Sequence, residues 1–346
     1  TSDPVALMPT PRSQRANPAR RGNVAQIAFA PAATLADAEN FTRNLAHTHY
    51  ENFSVISLLL PRRLRQDFCN IYAFCRISDD LGDEVGDVDE SLRLLDRFRD
   101  DLHAAYRGKP PSAVYVALAH TTEKYSIPIQ PFLDLIDAFE QDQRITRYRT
   151  FEQLADYCRR SANPVGRLVL YVCGYSDEKR QHLSDFTCTA LQLANFWQDV
   201  RRDLFDLDRI YLPGESMDRF GVSEDQLREQ RLDENFRRLV EFEVDRTEGL
   251  FALGDALLPT LDPSVRPHIS LFGRGGRAIL QAIRARGYDT LTQRPSLSAW
   301  QKGKLMLAAL TAHVSNWRGV DAKVVAADAS PRVAASATDA PTGKGA

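Results

Sequence analysis

The sequence predicts an all-α fold built as a single helical bundle. Apolar residues recur at three- and four-residue spacing through almost every segment between Leu35 and Val320. No run alternates polar and apolar residues between hairpin turns. Helix punctuation agrees, with a stop at Gly108, followed by prolines, and a start at Pro131. Roughly ten helices result, with no internal repeat.

Taken in order, the opening "TSDPVALMPTPRSQRANPARRGN" carries Pro and Arg but no apolar signal core, and residues 1–34 are expected to form a disordered arm. The stretch "FCNIYAFCRISDDLGDE", residues 68–84, reads as a helix with a greasy first half and four acids in its second. "VDESLRLLDRFRDDLHAAYRG" puts Leu92, Leu95, Phe98 and Leu102 on one face and leaves Asp96 and Asp100 on a solvated one. Helical spacing continues through "SAVYVALAHTTEKYS", "PFLDLIDAFEQDQRI", "FEQLADYCRRSANPVGRLVLYVCG" and "SDFTCTALQLANFWQDVRRDLF". It resumes in "NFRRLVEFEVDRTEGLFALGDALL", "VRPHISLFGRGGRAILQAIRARG" and "LSAWQKGKLMLAALTAHVSNW". The folded domain is expected over residues 35–320, and the Ala-, Ser- and Pro-rich residues 321–346 as a disordered tail.

Composition removes several classes of function. A formal charge of −2 offers no nucleic-acid surface. Cys69, Cys75, Cys158, Cys173 and Cys188 form no CxxC pair and read as reduced thiols of a cytosolic protein. No run of about 18 apolar residues is present, so no transmembrane helix is expected.

The acids pose the functional question. At about 100° per residue, Phe68, Ile71, Tyr72 and Cys75 share one face, and that stripe continues into Asp79 and Asp83. Arg76 sits at its edge, Asp80 well round the helix and Glu84 further still. The same spacing aligns Cys188, Leu191, Gln192, Asn195, Asp199 and Asp203 on one narrow face. Aspartates four apart are common on solvated helices, but both of these pairs extend a core stripe. A buried, uncompensated carboxylate is costly or shifts its pKa. Two facing Asp pairs suit a diphosphate carried by several Mg²⁺ ions, which take carboxylate, water and phosphate oxygens.

The stretches "HYENFSVISLLLPRRLRQDFCNIYAFCRISDDLGDE" and "LQLANFWQDVRRDLFDLDRIYLP" resemble the squalene/phytoene synthase family of head-to-head prenyl-diphosphate synthases, over roughly residues 40–290. The resemblance implies an isoprenoid-synthase-type bundle around a central apolar cavity. It implies metal ligation by Asp79 and Asp83, and by Asn195, Asp199 and Asp203. Arg76, His49, Asn52, Phe53, Gln192 and Arg284 match diphosphate-binding positions, and Tyr72 and Tyr157, with Arg76, match catalytic ones. Tyr72 reads equally well as a core aromatic, and His49 alone as a surface or capping histidine. Where many relatives are Gly-rich, this chain has Arg159, Arg160 and Asn163, and Gln198 stands where many have an arginine. Both departures resemble the hydroxysqualene synthase branch of hopanoid biosynthesis.

That branch implies conversion of presqualene diphosphate to hydroxysqualene by Mg²⁺-assisted ionisation, rearrangement and water trapping. Condensation of farnesyl or longer diphosphates to presqualene diphosphate, squalene or phytoene is the alternative. A non-catalytic assembly or lipid-binding member is the alternative of another class. NADPH is not expected, because "FGRGGRA" (272–278) follows no strand and lacks dinucleotide spacing; its glycines read as permitting a bend or close helix contact. Expected partners are the isoprenoid diphosphate and other enzymes of the pathway. The expected location is cytoplasmic, with peripheral membrane contact for a greasy product. No docking helix stands out, since "QRPSLSAWQKGKLMLAALTAHV" is explained as well by a core helix.

Overall fold

The computed structural model describes residues 18–49 and 61–296. Regular structure among them is helical, apart from an isolated parallel bridge between Arg147 and Ile210. Helices α1 (Pro18–Ala28) and α2 (Leu35–His49) precede a 3₁₀ turn (Arg62–Leu64) and α3 (Arg65–Asp83). Then come α4 (Val88–Tyr106), α5 (Ala113–Tyr125), α6 (Gln130–Asp142), α7 (Phe151–Ser161) and α8 (Asn163–Val172). The second half holds α9 (Glu178–Gln198), α10 (Val200–Leu207), the short α11 (Gly214–Phe220) and α12 (Glu224–Arg228), and α13 (Glu234–Gly254). A 3₁₀ segment (Asp255–Thr260) leads to α14 (Arg266–Ala285).

The helices start and stop for local reasons. Asp87, Asp177 and Asp233 cap α4, α9 and α13 by accepting from backbone N–H groups three residues on. Thr150 and Gln153 close a capping box on α7. Gly108, at φ 77°, takes the left-handed conformation that ends α4 where the sequence placed a stop. Two segments expected to be single helices are split. Pro164, lacking an N–H, separates α7 from α8 at Ala162, and α9 breaks at Asp199.

Residues 18–34, within the arm expected to be disordered, carry a docked helix. Here α1 buries Val24 and Ala28 against the core, and Arg97 lies over the Phe29 ring at 3.7 Å from its centroid. The Ala30 carbonyl accepts from the Ala113 N–H at 2.7 Å. Arg20 and Arg21 lower the mean hydropathy of this stretch, but docking needs only one apolar stripe. Residues 1–17, 50–60 and 297–346 lie outside the described residues, and with them the expected last helix, the boundary at 320 and the 321–346 tail.

Two helices form the centre. Helix α3 is buried all round from Asp67 to Gly82, packed by α2, α4, α5 and α6. Its buried polar groups are paired: the Asn70 amide donates to the Ala117 carbonyl (3.1 Å) and Thr121 Oγ1 (3.0 Å). Helix α9 lies against α8, α13 and α14, and Trp197 Nε1 donates to Thr247 Oγ1 of α13 at 2.8 Å. The glycines of "FGRGGRA" permit close helix contact, as the sequence suggested. A Cβ on Gly276 would stand 2.3 Å from Phe251 Cζ and 2.8 Å from Leu191 Cδ2.

Gly276→Val should therefore destabilise the fold by about 1–3 kcal/mol or more through overpacking. Gly249→Ala, in α13 with open space around it, should stabilise by roughly 0.4–1 kcal/mol. Thermal unfolding of the two variants checks both signs.

Candidate active site

The first acidic cluster is organised by Arg76, which spans three carboxylates on its own helix. Its guanidinium reaches Asp79 Oδ2 at 3.2 Å, Asp80 through Oδ2 at 3.1 Å and through Oδ1, and Glu84 Oε1 at 3.1 Å. Asp80 and Glu84, expected to point away from the Asp79/Asp83 stripe, thus join the same cluster. Helix α3 has no solvent side over this stretch, so Asp80 must be paired as well. Asp83 turns instead to Arg209, whose Nη2 lies 3.2 Å from its Oδ1.

The second cluster straddles the end of α9. Asp199 leaves helical geometry (φ −106°, ψ 14°), yet the Asp203 N–H still donates to the Asp199 carbonyl at 2.8 Å. The two aspartates therefore remain one turn apart. A C-terminal strap, residues 289–296, crosses this break. The Arg201 N–H donates to the Thr290 carbonyl (3.4 Å), Gln198 Nε2 to the Pro295 carbonyl (2.7 Å), and the Arg294 guanidinium to both Asp199 oxygens. Arg202 Nη1 stands 3.8 Å from Asp199 Oδ2.

Arg209 joins the clusters. It follows Asp208, which closes α10 in the left-handed region (φ 51°), and belongs to an extended ribbon on which Ile210 N–H donates to the Thr146 carbonyl at 2.9 Å. From there Arg209 Nη2 reaches Asp83 Oδ1 (3.2 Å) and the Asp142 carbonyl (3.1 Å), and its Nη1 lies 4.0 Å from Asp142 Oδ2. That Asp142 oxygen accepts from the Tyr157 hydroxyl at 2.7 Å. The same ribbon sets Tyr211 against Phe196, with ring centroids 3.7 Å apart and planes 9° from parallel. Tyr148 and Tyr157 complete an aromatic wall.

Carboxyl groups outnumber guanidiniums at the site. Asp79, Asp80, Asp83, Glu84, Asp142, Asp199 and Asp203 face four guanidiniums, those of Arg76, Arg202, Arg209 and Arg294. Burial pushes the Asp79 carboxyl well above the ordinary range despite Arg76, and burial with the Asp199 charge does the same to Asp203. Burial raises Asp80 to about 7 and Asp142 to about 6, against the pull of Arg76 and Arg209 respectively. Burial also lifts the Tyr72, Tyr157 and Tyr211 hydroxyls. Among the described residues, no three carboxylate, imidazole or thiol side chains form a ready-made metal cage. Hard oxygen donors that outnumber the guanidiniums nevertheless fit divalent cations such as Mg²⁺.

The remaining sequence-picked residues separate. Tyr72 is buried on α3, one turn before Arg76. Gln192 lies on the α9 face between Cys188 and Asn195, and its buried Oε1 has no hydrogen-bond partner. An apolar pocket lined by Val165, Val169, Cys188, Leu191, Leu257 and Phe272 follows that face, beginning roughly 6 Å along the helix from Asn195. Asn163 turns inward and accepts from Thr189 Oγ1 at 2.9 Å, whereas Arg159 and Arg160 pair outward with Asp156. Arg284 is not brought to the acidic clusters. It pairs with Asp245 (3.0 Å) and Glu248 (3.6 Å) on the flank of α13, whereas the arginine that reaches Asp199 from late in the chain is Arg294. Asn52 and Phe53 lie outside the described residues, and His49 is described only as the last backbone position of α2.

Comparison with known proteins follows this geometry. A family profile described as "Squalene/phytoene synthase" matches residues 46–301. The chain belongs to the squalene/phytoene synthase family. As a squalene/phytoene synthase family enzyme it acts on isoprenoid diphosphates. It is 30% identical to phytoene synthase of Arthrospira platensis over 295 residues, 82% of this chain and 96% of that protein. It is 34% identical to hydroxysqualene synthase of Zymomonas mobilis over 203 residues, 58% of this chain and 67% of that protein. The crystal structure of squalene synthase HpnC from Alicyclobacillus acidocaldarius superposes with a TM-score of 0.71 at 44% identity, covering 76% of this chain and 99% of that one. No helix among the described residues is long and apolar enough to cross a membrane.

Because the folded state holds protons on Asp80 and Asp142 that the unfolded chain has released, their contribution to stability is lost as pH rises from about 4 through about 7. A divalent cation held by the neighbouring aspartates would favour the ionised form of the whole cluster and offset that loss. The Mg²⁺-induced gain in melting temperature should therefore be larger near pH 8 than near pH 5, at ~10 mM MgCl₂ in calorimetry. An equal or smaller gain at the higher pH would contradict the electrostatic reading.

Proposed function

We propose that the protein converts presqualene diphosphate to hydroxysqualene, releasing diphosphate. The C–O bond to diphosphate ionises, the cyclopropylcarbinyl skeleton rearranges, and water closes the cation. The observation that carries this reading is the buried, partnerless Gln192 Oε1 on α9, next in sequence to Leu191, which lines the apolar pocket, and three residues before Asn195. A buried acceptor of this kind calls for a hydrogen-bond donor, and water is the smallest. The Asn163–Thr189 pair adds a second polar group on the same side of α9. The resemblance to the Zymomonas hydroxysqualene synthase supports the same branch.

Mg²⁺ held by Asp79, Asp83, Asn195, Asp199 and Asp203 would supply positive charge for the departing diphosphate. Arg76 and Arg294 stand at the two clusters and supply guanidiniums to the same anion. His49, Asn52 and Phe53 complete the proposed diphosphate-binding set. The ring faces of Tyr157, Phe196 and Tyr211 offer cation–π stabilisation, and the apolar walls exclude bulk water.

The second reading, head-to-head condensation, is favoured by the phytoene synthase resemblance over nearly that protein's full length. A non-catalytic role fits poorly with two buried acid clusters. Product analysis by mass spectrometry decides, with Mg²⁺, without NADPH, and with farnesyl or presqualene diphosphate supplied separately. Hydroxysqualene from presqualene diphosphate alone supports the proposal, and presqualene diphosphate or a hydrocarbon formed from farnesyl diphosphate supports condensation. Asp79→Ala and Asp199→Ala should each lower turnover by about 10²-fold or more while the protein remains folded. Retained turnover in either variant would remove that cluster from the site.

A further inference from the structure

We propose that Asp142 is the positioning residue for Tyr157 in the water-trapping step, with Arg209 tying that pair to the first acidic cluster. This rests on the ionisation and water-trapping reading above and assigns the destination of the proton that water must lose. The Tyr157 hydroxyl donates to Asp142 Oδ2 at 2.7 Å, so its one hydrogen is committed and its oxygen is left as an acceptor. Asp142 and Arg209 are each more than nine-tenths buried. Arg209 is connected on one side to Asp83 and on the other to the Asp142 backbone.

A purely structural ion pair of this depth would satisfy all its polar atoms. Here Asp142 Oδ1 and Arg209 Nη1 are both fully buried and both lack a hydrogen-bond partner. An acceptor and a donor left open beside one tyrosine mark a place for a molecule that is both, and water has that chemistry.

The step balances. A water donates one hydrogen to the Tyr157 oxygen and places its lone pair on the carbocation, forming the C–O bond of the alcohol. As the oxonium loses its proton to Tyr157, Tyr157 passes its own hydrogen to the Asp142 carboxylate. No oxidant or reductant enters. Tyr157 meets the reacting water, and Asp142 acts through Tyr157.

The test is a double-mutant cycle on the full-length protein with Mg²⁺ and presqualene diphosphate. Asp142→Asn and Tyr157→Phe should each lower kcat by about 10²-fold with KM within about twofold, and the double variant should lose no more than the worse single one. In each, the alcohol share of the product should fall in favour of the hydrocarbon from proton loss, a ratio that a merely structural role would leave unmoved. Losses that multiply, or an unchanged alcohol share, overturn the assignment. If Asp142→Asn does not fold, Tyr157→Phe decides, since it deletes one hydroxyl, and an unchanged alcohol share there is equally fatal. Wild-type protein that forms no alcohol from presqualene diphosphate overturns the parent reading and this assignment with it.

Discussion

A carboxylate withdrawn from water needs a counter-charge, and this molecule is arranged around supplying one. The acids at the end of α3 sit in a helix with no exposed side. Their partners come from increasing distances along the chain: Arg76 from the same helix, Arg209 from the ribbon after α10, across 126 residues. The acids at the end of α9 recruit Arg294 from beyond α14, 95 residues away. Removing one member of such a pair leaves a buried charge uncompensated, at a cost of roughly 3–5 kcal/mol. The electrostatics of the site and the path of the chain are thus one constraint.

Along α9 that constraint gives way to another. The residues toward Asp199 answer to charge, while Cys188 and Leu191, roughly two to three turns earlier, answer to close packing. Gly276 and Gly166 let α14 and α8 approach this half of the helix, and a side chain on Gly166 would meet Cys188 Sγ at 2.3 Å. One helix therefore presents an ionic end and an apolar end to a single amphipathic ligand. Gln192 lies where they meet.

Periodicity made the helical class and the two carboxylate stripes legible, because core faces repeat whether or not their last residues are apolar. The family resemblance added the proposed roles of Tyr157 and Asn195. What stayed hidden depends on contacts between distant segments. Nothing in "EQDQR" marks Asp142 as the acceptor for Tyr157, and Arg209 sat unassigned within the very "RIYLP" tag that carried the resemblance. The sequence offered no sign of Arg294, which lies beyond α14 on a segment with no helical register and reaches Asp199 only through the path of the chain. A helical wheel sets Asp80 well round from the Asp79/Asp83 stripe, yet α3 is buried on all sides from Asp67 to Gly82, so Asp80 is paired there too. The arm containing α1 was dismissed on composition, although two buried residues four apart suffice to dock it.

The strap that brings Arg294 to Asp199 makes the end of the described chain and the second acidic cluster parts of one equilibrium. A guanidinium on both oxygens of a carboxylate and a cation at those oxygens are competing occupants. If Asp199 holds a cation as proposed, thermodynamic reciprocity requires that whatever secures residues 289–296 weaken that hold, and that the cation loosen the strap by the same free energy. The cation affinity proposed for the cluster would then depend on the 289–296 strap as much as on the aspartates themselves.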